Sequence, residues 1–173
     1  KGELIIPPRT FQIGDTTTAW NHCKHIFEGR TETNGQEHLY IETQGAYAVP
    51  QENGALRIYS STQGPTAVQR TTARVLKVPM NFIEVDTTRL GGGFGGREDQ
   101  ATTWGVMVAL AAYHLKKPVK YALHRMEDMR MTGKRHPYSS DFRIGLNNDY
   151  KIMAYEATFY QNAGAAADLS PAV

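Results

Sequence analysis

Five of the six residues from Gly91 to Gly96 are glycine, and this loop is the part of the chain best suited to bind a ligand. Glycine adopts positive φ angles readily and lets a ligand approach the main chain closely. The loop lies between a predicted strand and a predicted helix, so it presents N–H groups near a helix N-terminus, where anions bind well. The pattern therefore predicts a site for a phosphate, an oxyanion or another electron-rich group.

Three interpretations of the loop imply different ligands. Its glycines match the dinucleotide fingerprint, but that fingerprint needs an acidic residue about 20 positions further on, where Lys116-Lys117 and His124-Arg125 stand. The phosphate loop of nucleotide hydrolases needs Lys and then Ser or Thr after the last glycine, where this chain has Arg97-Glu98. Alternatively, the loop only packs against a neighbouring segment, with Phe94 in the core. A non-catalytic nucleotide- or phosphate-binding module thus stays an alternative.

The elements next to the loop are the clearest in the chain. A strand is predicted over 82–87 and a helix over 98–115. Glu98 and Asp99 are placed in the first turn of this helix, where negative charge favours the helix dipole. The predicted buried face consists of apolar residues at three-to-four spacing: Val106, Ala109, Leu110 and Tyr113.

The remaining elements alternate between the two periodicities. Strands are predicted over 26–33, 38–49, 56–60, 119–123, 139–146 and 152–161, and helices over 17–25, 66–76 and 125–131. The helix over 66–76 is expected to bury a stripe of four residues: Val68, Thr72, Val75 and Leu76. This order predicts an α+β fold with a mixed sheet and packed helices. Residues 1–15 are expected to form a linker or edge segment, and residues 16–173 one larger domain portion.

Composition excludes several classes of function. The chain has 173 residues, enough for one domain, and its net charge of +2 without a basic stripe does not indicate nucleic-acid binding. No apolar run approaches the roughly 20 residues that cross a membrane. Cys23 is the only cysteine, so it cannot form an intrachain disulfide, and we expect a cytoplasmic location. The run His22–His25 lacks a second ligand pair for a metal and is interpreted as a helix surface.

Five segments, in a consistent order, resemble the molybdenum-cofactor-binding part of the xanthine dehydrogenase and aldehyde oxidase family. The glycine loop with Arg97-Glu98 resembles the loop that contacts molybdopterin in that family. The other four segments are Gln36–Glu42, which looks like an early strand, Ser61–Gln63, Met131–Pro137 and Asn162–Gly164. The resemblance runs from about residue 13 to the end. It implies a piece of the molybdopterin-binding domain of a molybdenum hydroxylase.

The resemblance assigns cofactor contacts to five residues. It implies that the side-chain amide of Gln63 donates to an oxo or sulfido ligand of molybdenum, a role that suits a donor that does not titrate. It also implies that the main chain at Gly92, Gly93, Phe94 and Gly95 lies against the cofactor, with Phe94 helping to exclude water. For Gln63, the alternative is that it only satisfies backbone groups. No residue is expected to ligate the metal directly.

Glu98 is the residue that bears on the substrate. Purine hydroxylases of the family carry glutamate at this position, where it binds the heterocycle, whereas mammalian-type aldehyde oxidases carry an apolar residue. The resemblance therefore implies a purine or related N-heterocycle as substrate, hydroxylated with oxygen from water. An aldehyde oxidase-type activity is an alternative, and so is a helix-dipole role for Glu98. Arg135 and His136 are expected to support the site structurally.

Other parts of such an enzyme have no counterpart in these residues. The resemblance implies a general-base glutamate and a second substrate clamp further along, and neither Glu42 nor Glu52 matches the motif of that base. It also implies iron–sulfur clusters and a flavin, FAD, on other domains or subunits, since one cysteine cannot ligate a cluster. No catalytic residue is therefore assigned within the chain. We expect a fragment that is inactive alone.

Overall fold

The computed structural model describes residues 3–172, which divide into two compact units. The terminal unit joins the described residues up to Gln36 to those from His136 onward, and the central unit is Glu37–Arg135. The elements are α1 (Thr16–Trp20), β1 (His25–Thr33), β2 (Gly45–Pro50), β3 (Leu56–Ser60), α2 (Pro65–Leu76), β4 (Ile83–Asp86), α3 (Gln100–Leu115), β5 (Val119–Ala122), α4 (Arg125–Met131), β6 (Tyr138–Leu146) and β7 (Ile152–Gln161).

The terminal unit contains a three-stranded antiparallel sheet in the order β1-β6-β7. A turn follows β6, in which Oδ1 of Asn147 accepts hydrogen bonds from the N–H groups of Asp149 (2.9 Å) and Lys151 (3.0 Å). The predicted helix over 17–25 is too long, because α1 ends at Trp20 and His25 already pairs with Leu146 in the sheet. The His22–His25 run is therefore not a helix surface.

The central unit contains a four-stranded sheet in the order β4-β3-β2-β5. β2 pairs antiparallel with β3 and with β5, whereas β3 and β4 are parallel and are linked by α2. The hairpin between β2 and β3 turns at Asn53 and Gly54, whose φ angles are 57° and 80°. The predicted α+β fold with a mixed sheet is thus confirmed.

The core of the central unit lies between this sheet and the helices α2 and α3. Leu56 and Ile58 of β3 point into it, as the period-two pattern predicts. Pro65 occupies the first turn of α2, where its missing N–H costs little. The predicted stripe of α2 is correct at Val68 and Thr72, but Val75 is exposed and Ala73 is buried in its place.

The strand predicted over 38–49 is wrong in its first half, because β2 begins only at Gly45. Leu39 has a φ of 49°, which no strand accommodates. The side chains of Tyr40 and Gln44 are buried and hydrogen-bonded to groups outside any sheet. The segment Glu37–Thr43 is therefore a loop, and the resemblance to an early strand does not hold for its conformation.

The helix α3 begins two residues later than predicted, at Gln100, and buries a different face. Glu98 and Asp99 precede it. Among the four predicted core positions Ala109 is fully buried and Tyr113 packs against the core, but Leu110 is 40% exposed. The buried residues are Ala101, Trp104, Gly105, Val108, Ala109 and Ala112. Small residues face the sheet because they allow close packing, a preference that apolar spacing alone does not reveal.

None of the helices formed by residues 3–172 is both long and apolar enough to span a membrane. In the same range, no group of three or more His, Cys, Asp or Glu side chains is arranged to hold a metal ion. Lys1, Gly2 and Val173, which end the predicted linker and the predicted domain portion, lie outside the described residues. The division at residue 15 stays a prediction.

Candidate functional site

The glycine loop (Gly91–Gly96) follows β4 and is separated from α3 by Arg97, Glu98 and Asp99. It therefore does not form the N-terminus of the helix, which was the geometry expected of an anion cradle. Asp99 is the N-cap residue, and its side chain makes no capping hydrogen bond. Two carboxylates before the helix disfavour a phosphate there, which weakens the nucleotide-binding alternative.

The end of the glycine loop is held by the side chain of Gln63. Its Oε1 accepts hydrogen bonds from the N–H groups of Gly95 (3.1 Å) and Arg97 (3.3 Å). A side-chain atom that receives two backbone donors must be the amide oxygen, so the Nε2 group is the other end. Nε2 makes no hydrogen bond to residues 3–172, and Gln63 is exposed. The amide thus satisfies backbone groups and still offers two N–H donors.

The start of the glycine loop is held by Glu42. Its Oε2 accepts hydrogen bonds from the N–H of Gly91 (2.8 Å) and from Oγ of Ser61 (2.6 Å). The main chain of Glu42 also contacts the loop, since its N–H donates to the carbonyl of Gly91 at 3.2 Å. A Cβ atom at position 91 would lie 2.5 Å from Cβ of Glu42, so the contact requires glycine.

Arg97 lies beneath the loop with no exposed surface. Its Nη1 is 3.2 Å from Oε2 of Glu42, and its guanidinium stacks on the ring of Tyr40 at 4.2 Å. Burial lowers the pKa of Arg97, while the Glu42 carboxylate acts in the opposite direction. The carbonyl of Arg97 also accepts from the N–H of Gln63 at 2.9 Å. Arg97 therefore connects the two side chains that hold the loop.

Below Arg97, a buried network ties the preceding loop to α4. The hydroxyl of Tyr40 donates to Oδ1 of Asp128 at 2.8 Å, and the N–H of Gln44 donates to Oδ2 at 2.6 Å. Nε2 of Gln44 donates to the carbonyl of Gly96 at 2.8 Å. Burial raises the pKa of Tyr40, and the hydrogen bond to Asp128 adds to this shift. This network supports the underside of the glycine loop.

The middle of the loop leaves its N–H groups without hydrogen-bond partners among the described residues. The N–H groups of Gly92, Gly93 and Phe94 make no hydrogen bond to any described residue, whereas those of Gly91, Gly95 and Gly96 do. Phe94 has a φ of 53° and is 68% exposed, so it is not the core anchor that a purely structural loop would need. The loop thus leaves three main-chain donors without partners among the described residues: those of Gly92, of the buried Gly93 and of the exposed Phe94.

Comparison with known proteins identifies the family of this chain. Residues 3–173 match the profile of the molybdopterin cofactor-binding domain. The chain belongs to this family. It is 40% identical over 163 residues to a protein of Drosophila subobscura named xanthine dehydrogenase and 36% identical over 171 residues to a protein of Cavia porcellus named aldehyde oxidase 2. These matches cover 94% and 98% of this chain but only 12% and 13% of those proteins.

Solved structures agree on the fold of this molybdopterin-binding domain. The aldehyde oxidoreductase of Desulfovibrio gigas superposes with a TM-score of 0.72 over 86% of this chain and 16% of that one, at 23% identity. The resemblance inferred from the five sequence segments is therefore confirmed at the level of family and fold. The expected molybdenum–molybdopterin cofactor is confirmed at the level of the family.

The donor set of the glycine loop fits such a cofactor. Main-chain N–H groups and a neutral amide donate hydrogen bonds to electron-rich ligands and do not titrate. Such donors are supplied by Gly92, Gly93 and Gln63. None of these donor groups is hydrogen-bonded to a carboxylate of the described residues. A Cβ atom at position 93 would lie 2.4 Å from Oε1 of Gln63, so only glycine lets the Gln63 side chain lie this close to the main chain of the loop.

The structure brings most of the predicted site residues together and adds one that the sequence reasoning missed. Gln63, Gly92, Gly93, Phe94 and Gly95 share one loop cluster, and Glu98 follows it. Glu42 was overlooked because it lay in a segment predicted to be a strand. The signal that marks it is its place next to Gly91 in the fold, which spacing along the chain does not show. His136 contacts Oγ of Ser170 at 2.7 Å in the terminal unit.

Proposed function

We propose that this chain is part of a molybdenum hydroxylase that oxidises a purine or related N-heterocycle with water as the oxygen source. The main support is the glycine loop, in which the N–H groups of Gly92, Gly93 and Phe94 make no hydrogen bond to the described residues while both ends are held by side chains. The relatives named xanthine dehydrogenase and aldehyde oxidase 2 support the reaction class. Because the chain spans 12–13% of those proteins, the activity belongs to a longer polypeptide.

The bound cofactor would supply the oxygen transfer and accept the electrons. The residues of this chain bind and orient it. The N–H groups of Gly92, Gly93 and Phe94 and the Nε2 group of Gln63 donate hydrogen bonds to its electron-rich ligands. Preorganised donors of this kind stabilise charge that develops during a reaction. The exposed ring of Phe94 limits the access of water.

We assign substrate binding to Glu98. Its side chain is half-buried and makes no hydrogen bond to any described residue, so both oxygens are available to N–H groups of a heterocycle. Since Glu98 precedes the N-cap Asp99, a dipole role within the first turn of α3 is weakened. A carboxylate placed there orients a purine, while an aldehyde offers no such donor. If the enzyme is instead of the aldehyde oxidase type, its activity should not depend on the Glu98 carboxylate.

The electrons would leave through iron–sulfur and flavin domains outside this chain. Cys23 alone cannot ligate a cluster, so these groups need other domains or subunits. We also propose that the longer protein acts on a small-molecule substrate, does not bind nucleic acid and is located in the cytoplasm.

The role of Gln63 is tested by Gln63→Glu in the full-length enzyme. The carboxylate keeps an acceptor for Gly95 and Arg97 but loses both N–H donors. We expect the free energy of unfolding to change by less than about 1 kcal/mol, while kcat per molybdenum falls about 100- to 1,000-fold. Gln51→Glu, an exposed change of the same charge far from the loop, serves as the control. An unchanged kcat would exclude the donor role.

The substrate class is tested by Glu98→Val. We expect kcat/KM for hypoxanthine to fall about 100-fold because the heterocycle loses its acceptor, and kcat/KM for an aldehyde to be retained. Steady-state assays with both substrates measure the ratio. Asp99→Asn, at the neighbouring exposed carboxylate, is the matched control. Equal losses for both substrates would contradict a substrate-specific role.

A further inference from the structure

Glu42 and Gln63 hold the two ends of the glycine loop. Oε2 of Glu42 accepts three hydrogen bonds, from Gly91, from Ser61 and from Nη1 of Arg97. Oε1 of Gln63 accepts two, from Gly95 and from the main chain of Arg97. The donors of these five hydrogen bonds belong to the glycine loop itself, to Ser61 and to Arg97. The free donors are therefore those between the two anchored ends.

Arg97 makes the two anchors interdependent. Its guanidinium is completely buried and is paired with Glu42, while its backbone N–H and carbonyl both contact Gln63. A buried guanidinium that loses its carboxylate is costly, so it would move or recruit another partner. Such a movement shifts the backbone of Arg97 and, with it, the amide of Gln63.

We propose that Glu42 is a positioning residue of the molybdenum site, which sets the geometry of the loop donors and, through Arg97, of the Gln63 amide. This inference rests on the proposed function of the loop. Glu42 itself need not touch cofactor or substrate. Nor is it suited to act as a general base, since one of its oxygens already accepts three donors. Its contribution lies in fixing where other groups donate.

The test uses the full-length, cofactor-loaded enzyme with Glu42→Gln. The amide keeps the size of the side chain but removes the charge that pairs with Arg97. Glu84→Gln is the matched control, because Glu84 also pairs with an arginine, Arg57, but on the sheet and away from the loop. The double variant Glu42→Met/Arg97→Met removes both charges together, and so covers the case in which an unpaired Arg97 prevents folding.

Molybdenum content, kcat, KM and the electron paramagnetic resonance spectrum of Mo(V) are measured for each variant. For Glu42→Gln we expect kcat per molybdenum to fall about 10- to 100-fold, as for other residues that orient a metal site indirectly. KM should change little and the Mo(V) spectrum should shift. The double variant should show the same loss and the same shift, since it also frees the loop.

Two results would overturn the inference. One is a kcat per molybdenum and a Mo(V) spectrum equal to those of Glu84→Gln. The other is a fall in molybdenum content alone, with kcat per molybdenum and the spectrum unchanged, since Glu42 would then only retain the cofactor. A wild-type enzyme that contains no molybdenum or does not hydroxylate refutes the proposed function instead. The two failures are thus distinguishable.

Discussion

At the scale of single residues, the loop requires glycine for two different reasons. Gly91 and Gly93 allow the side chains of Glu42 and Gln63 to approach the main chain, where a Cβ atom would collide with them. Gly95 has a φ of 86° with open space around it, so its backbone conformation is the requirement. The loop is therefore glycine-rich because side chains of the same protein lie against it and because its backbone needs a positive φ. The proposed ligand would use the donors that remain.

We expect the titration of the Tyr40 hydroxyl beneath the glycine loop to make the free energy of unfolding depend on pH. Its pKa is raised in the folded chain by burial and by the Asp128 hydrogen bond, so the unfolded chain loses the proton first as pH rises. The contribution of Tyr40 to stability is complete below the unfolded pKa, about 10, and is lost as pH rises through the folded pKa. We expect the free energy of unfolding to fall by up to about 1.4 kcal/mol per pH unit in that window.

Urea unfolding at a series of pH values between 8 and 11 measures this slope. Tyr40→Phe is the comparison, since it removes the titrating group while keeping the ring beneath Arg97. The variant should be less stable at neutral pH, because Asp128 loses a donor. Parallel curves for both proteins above pH 10 would contradict the expected titration.

Among the elements, α3 shows what sequence patterns reveal and what they omit. Its existence, its C-terminal end and its place after the glycine loop could be predicted, because apolar residues and Pro118 mark them. Its buried face could not, because the helix is apolar nearly all round. Likewise, the segment before β2 has strand-like composition but owes its conformation to Asp128, which lies 84 residues away from Gln44. Contacts of that range have no periodic signature.

Gly105 controls how closely α3 packs against α2. A Cβ atom there would lie 2.6 Å from Cγ1 of Val68, which is fully buried. We expect Gly105→Ala to destabilise the fold, since overpacking costs about 1–3 kcal/mol and the gain in helix propensity is at most about 1 kcal/mol.

The double variant Gly105→Ala/Val68→Ala provides the internal check. The new methyl group fills part of the space left by Val68, so the double variant should lose less stability than the two single variants together, by about 0.5–3 kcal/mol. Thermal or urea unfolding of the four proteins measures this coupling. Additive losses would show that the two helices do not restrict each other at this point.

At the scale of the whole molecule, the chain carries one wall of the proposed site. It spans 12–13% of relatives named xanthine dehydrogenase and aldehyde oxidase 2. The glycine loop and its supports all belong to the central unit, Glu37–Arg135. Family, fold and the cluster around Gln63 could be predicted from sequence, because motifs of fixed order carry them. The general base and the second substrate clamp that the resemblance implies are expected in other parts of the longer protein.

The isolated chain is therefore expected to be inactive. Purified chain, incubated with hypoxanthine or an aldehyde and a dye as electron acceptor, should show no hydroxylated product. Full-length enzyme assayed in parallel is the positive control. Turnover by the isolated chain would contradict the expectation that the general base and the second substrate clamp lie in other parts of the longer protein.

The nucleotide-binding alternative is tested by calorimetric titration of the chain with NAD and with ATP. Binding with a micromolar Kd would support that alternative.

The anchoring of the loop also has a consequence for the order in which the protein folds. Gly91 meets Glu42 across 49 residues of chain, and Gly95 meets Gln63 across 32. Contacts between such distant residues require the closure of long chain segments, which is entropically costly and slow. The loop has no shape of its own before those segments close. We expect it to be among the last parts to become ordered, so that the cofactor enters a domain whose core is already complete.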